Sequence, residues 1–264
     1  MSPAPAIRLA LIVCDTPPPP IVRADGDYPH IFTTLLRASL PDGVTDFVLD
    51  TYDVKDKMEY PSDEALDTYR GIIITGSAAS AYEDIPWINK LVEWLARVAD
   101  SKPQLKIIGI CFGHQVIARA LGGSCVRNSE WEISVTELGL NDLGQRIFGT
   151  KTLNIQQMHR DHVPTVPPSF HLLGSTTVTP VQAMVRFAGP PSPPSADEPL
   201  PPIQILTVQG HPEFTKEIVD KLVDVRSASG LFDQAMAEDA KRRGSWRNDG
   251  VPVVGKAIWE VLKT

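Results

Sequence analysis

The residues in this 264-residue sequence most suggestive of chemistry are Gly109-Ile110-Cys111-Phe112-Gly113, which follow the apolar run 105–108 and pass at once into a helical pattern near His114 and Gln115. A strand, a glycine-flanked nucleophile and a helix in succession make an elbow that pushes the middle side chain out of the turn. The glycines have a steric reason, because a strand turning sharply into a helix crowds its own backbone and a missing Cβ relieves the overlap. A thiol at the start of a helix also meets the positive end of the helix dipole and unpaired N–H groups, which favour thiolate over thiol. Cys111 is therefore the candidate nucleophile. Cys14 ends an apolar run and Cys125 follows two glycines, so both read as packed thiols.

A base is expected in the second polar run, Gln209-Gly210-His211-Pro212-Glu213-Phe214, which follows the apolar stretch 203–208. Proline disfavours the helical region for the residue before it, so His211 should be extended. Residues two apart in an extended chain point the same way, which lets Glu213 face the site alongside His211. A carboxylate on the second nitrogen of an imidazole fixes its tautomer and stabilises its protonated form. The run 71–75 ends in Gly76-Ser77. If its strand neighbours the one carrying Cys111, the N–H groups of Gly76 and Phe112 can together hold a developing oxyanion. A plain turn glycine is the competing reading of Gly76.

The remaining polar cluster is His159, Arg160, Asp161 and His162. Asp161 with either histidine would make a rival base pair or half of a metal site, but no third ligand at suitable spacing accompanies them. They read as pocket wall, and no metal or other cofactor is expected. His114 is expected to pack against the sheet, and His30 and His171 to be ordinary core or surface residues.

Apolar runs rich in β-branched residues at 7–13, 46–49, 71–75, 105–110 and 203–208 alternate with helical patterns at 31–40, 86–99 and 115–121. Such alternation predicts an α/β fold, a mostly parallel sheet with helices on both faces. Shorter runs at 133–138 and 176–185 read as antiparallel strands beside it, 189–202 as an exposed proline-rich loop, 220–241 as a charged surface helix and 253–262 as a closing one. No boundary separates a second unit, so residues 1–264 are expected to form one domain.

Hydrophobic residues make up 42% of the chain, enough for a sizeable core, and 25 basic against 32 acidic residues leave a net charge of −7. With no basic cluster, nucleic acid and anionic membranes are not expected as partners. The early apolar run is broken by Arg8 and followed by four prolines, 17–20, unlike a signal peptide or a membrane span. The three cysteines suggest no disulfide framework. A cytoplasmic location is expected.

The segments GICFGHQVIARALGG (109–123) and VQGHPEF (208–214), with ITGSAASAYED (74–84), Trp131-Glu132-Ile133 and QMHRDHV (157–163), resemble the class I glutamine amidotransferase family. Within it they are most similar to free-standing γ-glutamyl peptidases of plants and amidotransferase-like proteins of fungi. The resemblance implies a flavodoxin-like sheet and a Cys-His-Glu triad at Cys111, His211 and Glu213. It implies oxyanion N–H groups from Gly76 and Phe112. Gln115, with the backbone near His159, Arg160 and Asp161, would hold the α-amino and α-carboxylate groups of glutamine or a γ-glutamyl peptide. The proline-rich loop departs from the family's compact connection, and Ser134 stands where relatives often have glycine. The implied reaction is hydrolysis of a γ-glutamyl amide through a γ-glutamyl thioester. No second domain is expected and no Gly-x-x-x-x-Gly-Lys loop occurs in these residues, which favours a free-standing peptidase. The alternatives are a glutaminase that delivers ammonia to a separate synthase subunit, and a non-catalytic binding relative.

Overall fold

The computed structural model describes residues 6–189, 195 and 198–263. Its centre is five parallel strands: β1 (Ile7–Val13), β2 (Phe47–Asp53), β3 (Gly71–Ile74), β4 (Lys106–Ile110) and, late in the chain, β9 (Ile203–Val208). Four further strands extend the sheet: β5 (Val126–Leu140), β6 (Thr152–His162), β7 (His171–Ser175) and β8 (Ala183–Phe187), all antiparallel to their neighbours. The order across the nine strands is β2-β1-β3-β4-β9-β8-β7-β5-β6. No helix among the described residues is long and apolar enough to cross a membrane.

The central strands are apolar on both sides because both faces are covered. Alternate residues split cleanly: Leu9, Leu11, Ile73 and Ile108 point into one core, and Ala10, Ile12, Ile72 and Ile107 into the other. The first core is closed by α2 (Tyr28–Ala38), α7 (Lys216–Ala228) and α9 (Lys256–Lys263), the second by α4 (Pro86–Ser101) and α5 (Phe112–Ala120). Four further helices lie around them: α1 (Pro19–Asp25), α3 (Asp63–Leu66), α6 (Asp142–Phe148) and α8 (Gln234–Arg243).

Several boundaries differ from expectation. The helix expected over 220–241 is two helices, because the chain turns at Gly230 in the left-handed region, φ 75°. The closing helix begins at Lys256, after a π-helical turn at Gly250–Gly255. Residues 176–182 form a turn, with Thr179 N–H donating to the Thr176 hydroxyl at 2.9 Å, so β8 starts only at Ala183. Strands β6 and β7 were not expected. Of the proline-rich stretch 189–202, residues 190–194, 196 and 197 lie outside the described residues, and the remainder contains no helix or strand.

Candidate active site

Strand β4 is flanked by β3 on one side and β9 on the other, so the three loops that leave these strands meet at one sheet edge. Cys111 sits at the end of β4 with φ 52° and ψ −104°, and its N–H donates to Val208 O at 3.0 Å. Helix α5 starts on the next residue, three positions earlier than the sequence pattern indicated. The flanking glycines are needed for clearance: a Cβ on Gly113 would lie 2.4 Å from Ile74 O, and one on Gly109 would lie 2.8 Å from Gly113 O. Left-handed backbone at a non-glycine residue costs on the order of 1–3 kcal/mol and is a recurring feature of functional sites. Cys111 is only 5% exposed, more enclosed than an elbow at an open sheet edge suggests, because side chains from β6 and α7 stand over it.

His211 and Glu213 leave the end of β9. His211 N–H donates to Gln156 O at 2.8 Å, an isolated bridge to β6 that keeps this stretch extended. Its Nδ1 lies 2.8 Å from Glu213 Oε1, and its ring stacks on Phe214 with centroids 4.0 Å apart and planes within 2°. Burial by itself would push the His211 pKa down, but the charges of Cys111 and Glu213, and hydrogen bonding to both, carry it up to about 10. The imidazole is thus held as the cation at neutral pH, between a carboxylate and a cysteine. Cys14 and Cys125 lack such a setting, and burial pushes both thiols up.

The third loop carries Gly76. Asp15 anchors it, accepting from Ser77 Oγ at 3.2 Å, from Ala78 N–H at 2.7 Å and from Lys55 Nζ. Thr75 Oγ1 accepts from Cys14 N–H and donates to Gly76 O, both at 3.0 Å. Among the described residues no protein acceptor is paired with the N–H of Gly76 or of Phe112. Phe112 opens α5, where first-turn N–H groups have no helical partner.

The other expected site residues form a polar wall. Gln115 Nε2 donates to Asp161 O at 2.8 Å and to Gln209 Oε1 at 3.1 Å, and Gln209 Nε2 reaches Cys111 Sγ at 3.6 Å. With its amino group committed in this way, Gln115 offers the cavity its amide oxygen, an acceptor suited to an ammonium group. His159 turns both ring nitrogens toward protein groups: Nδ1 lies 3.0 Å from Asp161 O, and Nε2 lies 3.3 Å from Glu132 Oε2, near enough for charge contact though without hydrogen-bond alignment. Burial pushes the Glu132 carboxyl up, yet His159 and the hydroxyls of Thr176 and Thr179 hold it below the usual range. Arg160 is tied to the carbonyls of Asn128 and Ser129, at 2.9 and 3.1 Å, and the Asp161 carboxylate accepts from Ser80 Oγ at 2.5 Å. These attachments leave the rival pairing of Asp161 with a histidine without support. His114 packs against the sheet with Nδ1 2.7 Å from Thr207 Oγ1, and burial pushes its pKa down to about 3. No group of three His, Cys, Asp or Glu side chains among the described residues is placed to hold a metal ion.

A polar cavity of about 210 Å³ opens from Cys111 and is lined by Gln115, His159, Arg160 and Asp161 together with Ser77–Ser80 and Arg226. Gln209, Glu132 and Arg226 were not singled out as site residues by sequence reasoning. Gln209 and Glu132 do fall inside motif segments, but Arg226 carries no local signal.

The family described as "Glutamine amidotransferase class-I" matches residues 36–191, a stretch that includes Cys111 and ends before His211. A glutamine amidotransferase-like protein of Schizosaccharomyces pombe is 38% identical over 89% of this chain and 91% of its own length. Gamma-glutamyl peptidase 4 of Arabidopsis thaliana is 30% identical over 82% of this chain and 79% of its own. The crystal structure of a glutamine amidotransferase from Thermotoga maritima shares the fold, with a TM-score of 0.70 at 16% identity, covering 99% of this chain and 100% of that one.

Proposed function

The chain belongs to the class I glutamine amidotransferase family, and from that premise we propose that it is a cysteine-dependent γ-glutamyl hydrolase acting as a γ-glutamyl peptidase. The observation that carries this reading is the Cys111–His211–Glu213 constellation, with His211 Nδ1 2.8 Å from Glu213 Oε1 and its pKa raised to about 10 beside Cys111. The peptidase form is supported by the likeness to a plant γ-glutamyl peptidase over most of both chains.

Cys111 Sγ attacks the side-chain carbonyl carbon of the γ-glutamyl amide, and the carbonyl π electrons move onto oxygen. The N–H groups of Gly76 and Phe112 stabilise that oxyanion. Collapse breaks the C–N bond as imidazolium His211 protonates the departing nitrogen, leaving a γ-glutamyl thioester and a neutral imidazole. His211 then takes a proton from water. The resulting oxygen nucleophile attacks the thioester carbon, the C–S bond breaks, glutamate leaves and thiolate and imidazolium are restored. Glu213 orients the imidazole throughout. The Gln115 oxygen and the backbone at His159, Arg160 and Asp161 hold the α-groups.

Glutamate release from glutamine and from γ-glutamyl dipeptides tests the reading. The expected result is faster release from the dipeptides, loss of turnover in Cys111→Ser, and a γ-glutamyl adduct on Cys111 by mass spectrometry. Release from glutamine alone would instead favour a glutaminase that supplies ammonia to a separate synthase. Glu213→Gln should slow turnover less than His211→Asn, because general acid–base assistance is worth about 10²–10⁴ in rate. Equal abolition in both variants would give Glu213 a direct chemical role.

A further inference from the structure

A second cavity, of about 310 Å³, meets the polar one at Cys111 and extends along His211 toward α1 and α2. Its walls are mainly apolar, formed by Ile21, Tyr28, Phe214, Ile218 and Leu222 with Pro17–Pro19 on one side, and its polar lining includes Asp15, Lys55 and His211. Pro19 and Pro20 open α1, and a ring-locked φ makes that side rigid and preformed. A water-sized molecule such as ammonia needs only roughly 10–15 Å³. The polar cavity takes the α-groups in the reading above, so a substituent on the scissile nitrogen is directed into the apolar one.

One cation at the junction of the two cavities, among the described residues, has no carboxylate partner. Arg226, on α7, lines both. Its guanidinium lies 5.1 Å from the ring centre of Trp131 and 5.7 Å from that of Phe232, and among the described residues no carboxylate is paired with it. By contrast Lys55, in the same cavity, is bound to Asp15, and His211 to Glu213. A partly buried guanidinium packed against the Trp131–Phe232 pair, with no hydrogen-bond acceptor on its fork among the described residues, is open to an incoming carboxylate, and a desolvated charge is costly without one.

We propose that this cavity is the leaving-group subsite and that Arg226 binds the carboxylate of the released amino acid, which makes γ-glutamyl dipeptides with an apolar second residue the preferred substrate class. The inference rests on the γ-glutamyl reading of the site. Three ligands separate its elements: γ-Glu-Phe, γ-glutamyl-phenethylamide, which lacks only the second carboxylate, and γ-Glu-Ala, which lacks the phenyl group.

Binding is measured on Cys111→Ser by calorimetry, so that it does not depend on turnover. γ-Glu-Phe should bind roughly 10- to 100-fold more tightly than the phenethylamide, the range for a charge-assisted hydrogen bond, and roughly tenfold or more above γ-Glu-Ala from the buried ring. Adding Arg226→Met should abolish the first preference while leaving phenethylamide affinity unchanged, and Arg226→Lys should retain part of it. Equal affinity for γ-Glu-Phe and the phenethylamide overturns the proposal. So does an equal loss for both ligands in Arg226→Met, which would assign Arg226 to the glutamyl α-carboxylate or to structure. If γ-Glu-Phe binds with the stated preference but the parent never cleaves it, the hydrolase reading falls and the subsite stands. If the parent cleaves γ-glutamyl amides without preference, the subsite falls and the hydrolase reading stands.

Discussion

Substituting Gly76 by alanine should disable the site through His211 while leaving the Gly76 N–H in place. The added Cβ would lie 2.9 Å from His211 Cε1, the ring carbon between the two nitrogens, and 3.7 Å from Cys111 Cβ. Ordinary carbon–carbon contacts begin at about 3.5–4.0 Å, so roughly 0.6–1 Å must be given up. The loop cannot readily yield it, because Asp15 and Thr75 bind Ala78, Ser77 and Gly76 from behind. The ring must move instead, against its stack on Phe214 and its 2.8 Å contact with Glu213. Misplacement of a reacting group by 1 Å can cost about 10²-fold in rate, equivalent to about 2.7 kcal/mol of activation energy. We expect Gly76→Ala to lower kcat for glutamate release by roughly 30- to 100-fold with little change in KM, since the added methyl points away from the α-group wall. Overpacking should lower stability by about 1–3 kcal/mol, which a melting curve would report separately. The pH dependence of Cys111 alkylation should also shift, because the imidazolium next to it has moved. Activity within about threefold of the parent, in a protein that melts normally, would refute this reasoning.

A glutamine-mimicking electrophile should label Cys111 first, with Cys14 and Cys125 unmodified while the protein is folded, since both are buried with thiols pushed up; peptide mapping that finds either of them labelled ahead of Cys111 would count against the assigned nucleophile. Ser134→Gly should stabilise the protein: Ser134 lies within β5 at φ 64° with its buried hydroxyl unpartnered. Relief of left-handed strain, about 1–2 kcal/mol, outweighs the added unfolded-state entropy of about 0.4–1 kcal/mol, so the Tm should rise by roughly 2–4 °C. A fall in Tm would show the serine to be structurally useful. His114, whose pKa is held down at about 3 by burial, is neutral when folded but takes up a proton near pH 6.5 when unfolded. Its folded pKa is depressed, so stability is lost as pH falls below about 6.5, at a limiting slope of about 1.4 kcal/mol per pH unit toward its folded pKa. Denaturant midpoints across that range should show a gentler acid slope in His114→Leu, and an unchanged slope would mean the imidazole titrates normally.

What could be read from the sequence alone was whatever is encoded over a few neighbouring residues. The runs 7–13 and 203–208 emerge as strands with the expected bounds because their central apolar residues are buried on both faces whatever stands beside them. Cys111 was legible because its glycines answer a local steric demand, and His211 with Glu213 because a spacing of two in extended chain puts both side chains on one side. Strand β6 was not legible. Gln156, Gln157 and His159 are polar residues that look like loop, and they become buried only when β5 and the stretch after β9 that carries His211 supply partners for them. Tertiary structure likewise decided that β4 lies between β3 and β9, which is what brings three loops from distant parts of the chain to one thiol. It also placed Arg226, which no local pattern distinguishes from any other surface arginine, against Trp131 and Phe232 at the mouth of the site. Local patterns record which conformation a segment prefers. Which segments meet is set by how the two cores close over the sheet, and the apolar cavity beside Cys111 exists only because α1, α2 and α7 close the first core at that edge.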